Sequence, residues 1–201
     1  MTADLYKHDK SYGGVIAGID EAGRGPLAGP VVCACCIMPL GKNDMIEGIN
    51  DSKKVSEKKR NILFEKIKEK AIAYSIAIVS EKVIDEINIL NATKKGMLDS
   101  LKGLEVKPDL VFIDAVKLDT DHKTVSIIKG DATSYNIAAA SILAKVTRDR
   151  LVEEYDKEYP QYGFAKHKGY GTKMHIDAIR QFGPCPLHRR TFIKNFVGDD
   201  Q

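Results

Sequence analysis

The chain has 201 residues, 43% of them apolar, and 31 Lys and Arg against 28 Asp and Glu, which suits one domain with a real core, or one domain with a small appendage. Its formal charge of +3 is too small to signal the single-sign surface of many nucleic-acid binders, and no apolar run reaches the roughly 18 residues of a spanning helix. The polar start argues against a secretory signal, and four cysteines make no disulfide framework for this length, so we expect a cytoplasmic protein with free thiols and no membrane partner. Residues 1–13 are read as an N-terminal segment. Residues 15–19 and 30–38 are short apolar runs read as buried strands, joined by a stretch rich in Gly and Pro. Ser56 is a plausible N-cap for a helix in which Ile62, Leu63, Phe64 and Ile67 recur among Lys and Glu. A β-branched run over 71–79 follows, then a long helical pattern from Val83 to Leu101. Residues 110–116 and 125–128 supply two more strands, 135–159 a helix stopped by Pro160, and 173–182 a shorter one. This order predicts an α/β protein, a mixed sheet covered by helices.

The charge is uneven. Residues 160–198 carry Lys166, Lys168, Lys173, Arg180, Arg189, Arg190 and Lys194 against Asp177 alone, so a basic C-terminal lobe is expected behind the modest total.

Chemistry is expected where apolar strands end in acids. Asp20 and Glu21 follow the first strand and lead into Ala22-Gly23-Arg24-Gly25-Pro26; Asp114 ends Leu110-Val111-Phe112-Ile113; Asp131 follows Ile127-Ile128-Lys129-Gly130. Acids at the ends of neighbouring strands converge on one sheet edge, where they repel and raise one another's pKa values. Hard divalent cations resolve that conflict, and two such ions about 3.5–4 Å apart form a clamp for phosphodiester displacement. Because neighbouring residues on a regular strand face opposite ways, Glu21 is expected to lie beyond the strand. A lone strand-end Asp is more often a turn or helix cap, and Asp131 is the weakest of the four on that count.

Several blocks together resemble the ribonuclease HII family: Gly18 to Pro26 with Gly29-Pro30-Val31-Val32, Asp51-Ser52-Lys53-Lys54, Ile113-Asp114-Ala115, Lys129-Gly130-Asp131, Ala138 to Val146, and His167 to Thr172. The resemblance implies a ribonuclease-H-like mixed β-sheet flanked by helices, with a small C-terminal helical lobe, in a single catalytic domain over 14–198. It implies cleavage of RNA hybridised to DNA, and cutting 5′ of a lone ribonucleotide in duplex DNA, by a monomer using Mg²⁺ or Mn²⁺ at a two-metal site. Carried across, the metal-binding carboxylates fall on Asp20, Glu21, Asp114 and Asp131. Gly23, Arg24 and Gly25 would read the ribose 2′-hydroxyl through backbone groups, Tyr170 would pack on the adjacent deoxyribose, and Lys53 would contact phosphate. Ala115 stands where glycine is frequent in the family. Ribonuclease HIII shares the core but usually carries a sizeable N-terminal extension, so HII is preferred.

Other readings are weaker. Gly23, Gly25 and Ala28 fit the dinucleotide fingerprint, but Pro26 and Pro30 flank a strand-like segment where a helix N-terminus is needed. A noncatalytic hybrid-binding module would have no use for four acids facing phosphates. Cys33, Cys35 and Cys36 lack the paired spacing of a zinc site and read as small buried hydrophobes; Cys185 has no obvious partner. His8 and His122 are expected in water, His175 and His188 within reach of phosphate, and His167 is a candidate for substrate contact beside Tyr170.

Overall fold

The computed structural model describes residues 2–41 and 43–197; the expected domain boundary at 198 and the first residue lie outside them. The strands are β1 (Ile16–Ala22), β2 (Val31–Ile37), β3 (Ala73–Val79), β4 (Leu110–Asp114) and β5 (Thr124–Ile127). They form one sheet in the order β3-β2-β1-β4-β5. β2 pairs antiparallel with both β1 and β3, whereas β4 runs parallel to both β1 and β5. The helices are α1 (Thr2–Lys10), α2 (Glu57–Lys70), α3 (Glu81–Lys102), α4 (Tyr135–Glu158), α5 (Phe164–His167), α6 (Lys173–Phe182) and α7 (Arg190–Ile193).

β2 is buried along its whole length because the sheet is covered on both faces. Val32, Ala34 and Cys36 pack with α2 and α4, while Val31, Cys33, Cys35 and Ile37 pack with α3. The small thiols let α3 approach: a Cβ on Gly96 would stand 2.8 Å from Cys33 Sγ. All four cysteines are buried and free, and burial pushes the thiols of the β2 trio well above their ordinary pKa. They act as the small hydrophobes the sequence suggests. On the other face, α4 turns an alanine-rich side to the sheet, and buries Ile142 and Leu143, each contributing about 1.5–3 kcal/mol.

Three features go beyond what the sequence pattern suggested. The N-terminal segment is largely a helix: α1 places Leu5 and Tyr6 in the core and buries Asp9 completely. Asp9 Oδ2 accepts hydrogen bonds from Ser134 Oγ (2.9 Å), the Asn136 amide (2.8 Å) and Asn136 Nδ2 (2.8 Å), fixing the start of α4. His8 is not fully in water; its ring lies 5.6 Å from that of Phe112, and Nδ1 meets Asp9 Oδ1 at 2.9 Å. Within the long helix α3, Asn88 sits at φ 64°, and its side chain accepts from the Asn91 amide to cap the second half. Periodicity alone carried no sign of that break.

Candidate active site

β1, β4 and β5 are mutually parallel, so their carboxyl ends share one edge, where open α/β sheets place their ligands. Asp20 and Glu21 stand near the end of β1, Asp114 closes β4, and Asp131 lies in the 3-10 turn Gly130–Ala132 after β5. The Gly130 amide donates to Asp114 Oδ1 (2.6 Å), tying the last two positions together. Glu21 does not lie beyond the strand as expected: β1 continues to Ala22, with Glu21 opposite Cys33. The parallel pairing with β4 ends at Ile19 and Ile113, however. Past that point β1 has no parallel neighbour, and residues of opposite facing can both reach the sheet edge. Asp20 Oδ1 accepts from the Glu21 amide (2.7 Å). Ala115 takes φ 50° immediately after Asp114, a left-handed turn costing a residue with a Cβ roughly 1–2 kcal/mol and explaining why glycine suits this position.

The acids feel one another. Burial raises the Asp20 carboxyl well above its ordinary range, Glu21 and Asp114 push further, and the Glu21 amide and Ser141 hydroxyl only partly oppose them. Glu21 is raised by burial and by Asp114 against the opposing pull of Arg24, whose Nη1 lies 3.6 Å away. Asp131 is raised by burial, then by Asp51 and Asp114, with Lys53 opposing. Among the described residues, no group of three or more His, Cys, Asp or Glu side chains is gathered tightly enough to hold a metal ion as it stands. The donor chemistry nonetheless fits a hard divalent cation: oxygen ligands only, mutually repelling, with Glu21 Oε2 buried and lacking any hydrogen-bond partner.

Beside the acids is a cleft of about 290 Å³ whose walls include Asp20, Glu21, Gly23, Arg24, Gly25, Lys53, Ser141, Lys145 and Tyr170. Gly23 holds φ 100°, and a Cβ there would come within 2.1 Å of Arg148 Nε, so only glycine fits. Tyr170 is 47% exposed and stands against the glycine loop, its Cε1 being 3.6 Å from where a Gly25 Cβ would be. Lys53 is carried on a turn whose N-cap, Asp51, accepts the Lys53 amide (3.0 Å). All the sequence-predicted substrate residues therefore line one cleft. Sequence reasoning missed Asp51, Ser141, Lys145 and Arg148 as members of this neighbourhood, although the blocks Asp51 to Lys54 and Ala138 to Val146 had pointed to their segments. Ser141 was hidden among alanines; its hydroxyl lies 2.7 Å from Ser52 Oγ, which can donate to it and leave its own proton for Asp20.

The C-terminal histidines, expected within reach of substrate, are not among the residues lining the cleft. His167, His175 and His188 are buried, with the His167 and His175 rings stacked 4.4 Å apart. His175 Nδ1 meets the Tyr170 carbonyl (2.9 Å), and its Nε2 faces His188 Nε2 (3.0 Å), while His188 Nδ1 accepts from the Cys185 amide (2.9 Å). That pattern closes if His175 carries its proton on Nδ1 and His188 on Nε2, both rings neutral. Cys185 thus has a partner after all, His188 Nδ1, at 3.1 Å. Burial holds His175 and His188 down to about 4 from 6.5. The unfolded chain therefore takes up more protons below 6.5, so the stability these rings confer is present above that pH and is lost as pH falls toward 4. Between pH 6.5 and about 5 the two rings therefore pull the thermal midpoint down, against the raised acids of the cleft, which gain stability as pH falls. A His188→Gln variant should fall less over that interval; equal slopes would contradict the assignment. The basic tail is also less available than its count implies: Arg189 is interior, and Lys168 Nζ is held by Glu153 (2.6 Å).

A parallel-edge acid cluster on a mixed five-stranded sheet is the architecture of the ribonucleases H. The solved ribonuclease H2 of Pyrococcus horikoshii OT3 is similar at TM-score 0.78 and 28% identity, over 90% of this chain and 96% of that one. The ribonuclease HII in a complex with PCNA from Archaeoglobus fulgidus is similar at TM-score 0.75 and 26% identity, over 92% and 97%. The ribonuclease HII family model matches residues 17–195, and the ribonuclease HII of Ruminiclostridium cellulolyticum is 63% identical over 90% of this chain and 71% of its own length. The chain belongs to the ribonuclease HII family: it is a ribonuclease H endonuclease, of a family that acts on RNA–DNA hybrids and depends on divalent metal. Among the described residues, no helix is long and apolar enough to cross a membrane.

Proposed function

We propose that residues 14–198 act as one catalytic domain, monomeric and cytoplasmic. It cuts the RNA strand of hybrids and also cuts 5′ of a single ribonucleotide in duplex DNA, leaving 5′-phosphate and 3′-hydroxyl ends. The observation that supports this reading best is the convergence of Asp20, Glu21 and Asp114 on one sheet edge beside a cleft holding both the glycine loop and Tyr170. Asp20, Glu21, Asp114 and Asp131 would hold Mg²⁺ or Mn²⁺ at a two-metal site. Bound there, the ions would supply charge stabilisation for in-line displacement at phosphorus.

The chain's own residues do the rest. Lys53, exposed at the rim, would meet a phosphate, and Lys145, whose Nζ is held by Asp149 Oδ1 (2.7 Å), also lines the cleft. The backbone of Gly23, Arg24 and Gly25 would read the ribose 2′-hydroxyl, the group that separates RNA from DNA. Tyr170, against that loop, would pack on the neighbouring deoxyribose and so favour a junction. A duplex with one ribonucleotide is the informative substrate: cleavage that requires divalent metal and falls 5′ of that nucleotide is expected, and its absence would overturn the reading. Tyr170→Ala should lower turnover at the single ribonucleotide by on the order of 10²-fold, the cost of losing a positioning contact. An unchanged rate would remove Tyr170 from the site.

A further inference from the structure

Two arginines brace the glycine loop, Arg148 on α4, which also lines the cleft, and Arg189 just before α7. Arg148 and Arg189 are 1% and 0% exposed. Every hydrogen bond their guanidiniums make among the described residues goes to a backbone carbonyl. Arg148 donates from Nε to Pro30 (3.0 Å), from Nη2 to Ala28 (3.1 Å) and from Nη1 to Lys168 (2.9 Å). Arg189 donates from Nε to Gly29 (3.0 Å), from Nη1 to Arg24 (2.9 Å) and from Nη2 to Gly23 (2.6 Å). Arg189 also lies over the Phe192 ring, 5.1 Å from its centroid, but burying two cations with no carboxylate in hydrogen-bond contact is a poor way to gain stability, since each is costly to desolvate. Burial and the nearby Arg148 hold Arg189 down to about 9, which leaves it charged at neutral pH.

The geometry has a directional consequence. In a planar trans peptide the C=O and the following N–H point in opposite directions. Pinning the Gly23 and Arg24 carbonyls inward therefore turns the amides of Arg24 and Gly25 outward, on the side where these residues line the cleft. The bond to the Lys168 carbonyl ties the turn that carries Tyr170 to the same scaffold.

We infer that Arg189 and Arg148 are positioning residues that set the ribose selectivity of this site, by aiming the loop amides at a 2′-hydroxyl and fixing Tyr170 beside them. The inference rests on the proposed reading of the glycine loop. It is tested with two duplexes identical except for one nucleotide, a ribonucleotide or its 2′-deoxy-2′-fluoro analogue, cut by the parent protein, Arg189→Lys and Arg148→Lys. Circular dichroism confirms folding at the assay temperature. The parent should prefer the hydroxyl. Each lysine variant, keeping the charge but losing the fork, should narrow that preference by on the order of tenfold, through slower cutting of the ribonucleotide substrate. Should Arg189→Lys not fold, Arg148→Lys reads the same ratio through Ala28, Pro30 and Lys168. A parent without preference would overturn the reading of the glycine loop itself. A preference retained in the folded variants, or a rate loss equal on both substrates, would overturn the role given to the arginines.

Discussion

Asp20→Asn should lose hybrid cleavage in Mg²⁺ by on the order of 10³-fold or more, since it removes a metal-ligand charge from the reacting centre. Asp114→Asn should do the same. The loss should come without loss of fold. Burial and the facing carboxylates raise the Asp20 pKa in the folded state above the 3.8 of an ordinary Asp. A raised carboxyl contributes stability below its unfolded pKa that is lost as pH rises through the folded value. At neutral pH without metal, Asp20 is therefore a burden on the fold, and the neutral amide should raise the thermal midpoint slightly. Divalent metal should stabilise the parent, because it binds only the folded state, and should stabilise Asp20→Asn far less. Near-parental turnover by both variants would sink the assignment of these acids as ligands.

Gly18→Ala should be the most damaging single methyl addition in the core. A Cβ there would stand 2.2 Å from the Asn136 carbonyl carbon and 2.2 Å from the Ile137 nitrogen. Both are backbone atoms of α4 and cannot rotate away. The helix would have to lift from β1, at roughly 3 kcal/mol, the upper end of ordinary overpacking costs, or a fall of about 6–12 °C in thermal midpoint. Because α4 carries Ser141 and begins just after Asp131, the same lift should lower kcat at temperatures where the variant remains folded. A midpoint and turnover equal to the parent's would show that the contact is relieved by some cheaper movement.

Much of this site was legible in the residues. Strand-end acids declare themselves because a carboxylate closing an apolar run needs a partner of its own, and the run 30–38, read as a buried strand, is one over 31–37. The helix 173–182 was found to the residue, its N-cap Thr172 accepting from the His175 amide (3.3 Å). What escaped notice were features that need a partner distant in sequence. Leu5 and Tyr6 are buried only because α4 and the core beside it offer them a surface, and Asp9 is tolerable in the interior only because Ser134 and Asn136, more than a hundred residues on, satisfy it. Glu21 reaches the sheet edge from within its strand because β4 ends first, which is a matter of register.

The charge count shows the division most plainly. Seven cations against Asp177 in residues 160–198 is a fact of sequence, as are the order of the elements and the four acids. Composition could not say that Arg189 faces inward onto carbonyls, that Lys168 is paired with Glu153, or that the histidines lie locked among themselves. Local pattern is set by each residue's own chemistry and its near neighbours, so sequence determines it. Which polar groups end in water and which in the interior depends on what the fold brings against them, and only the tertiary structure decides that.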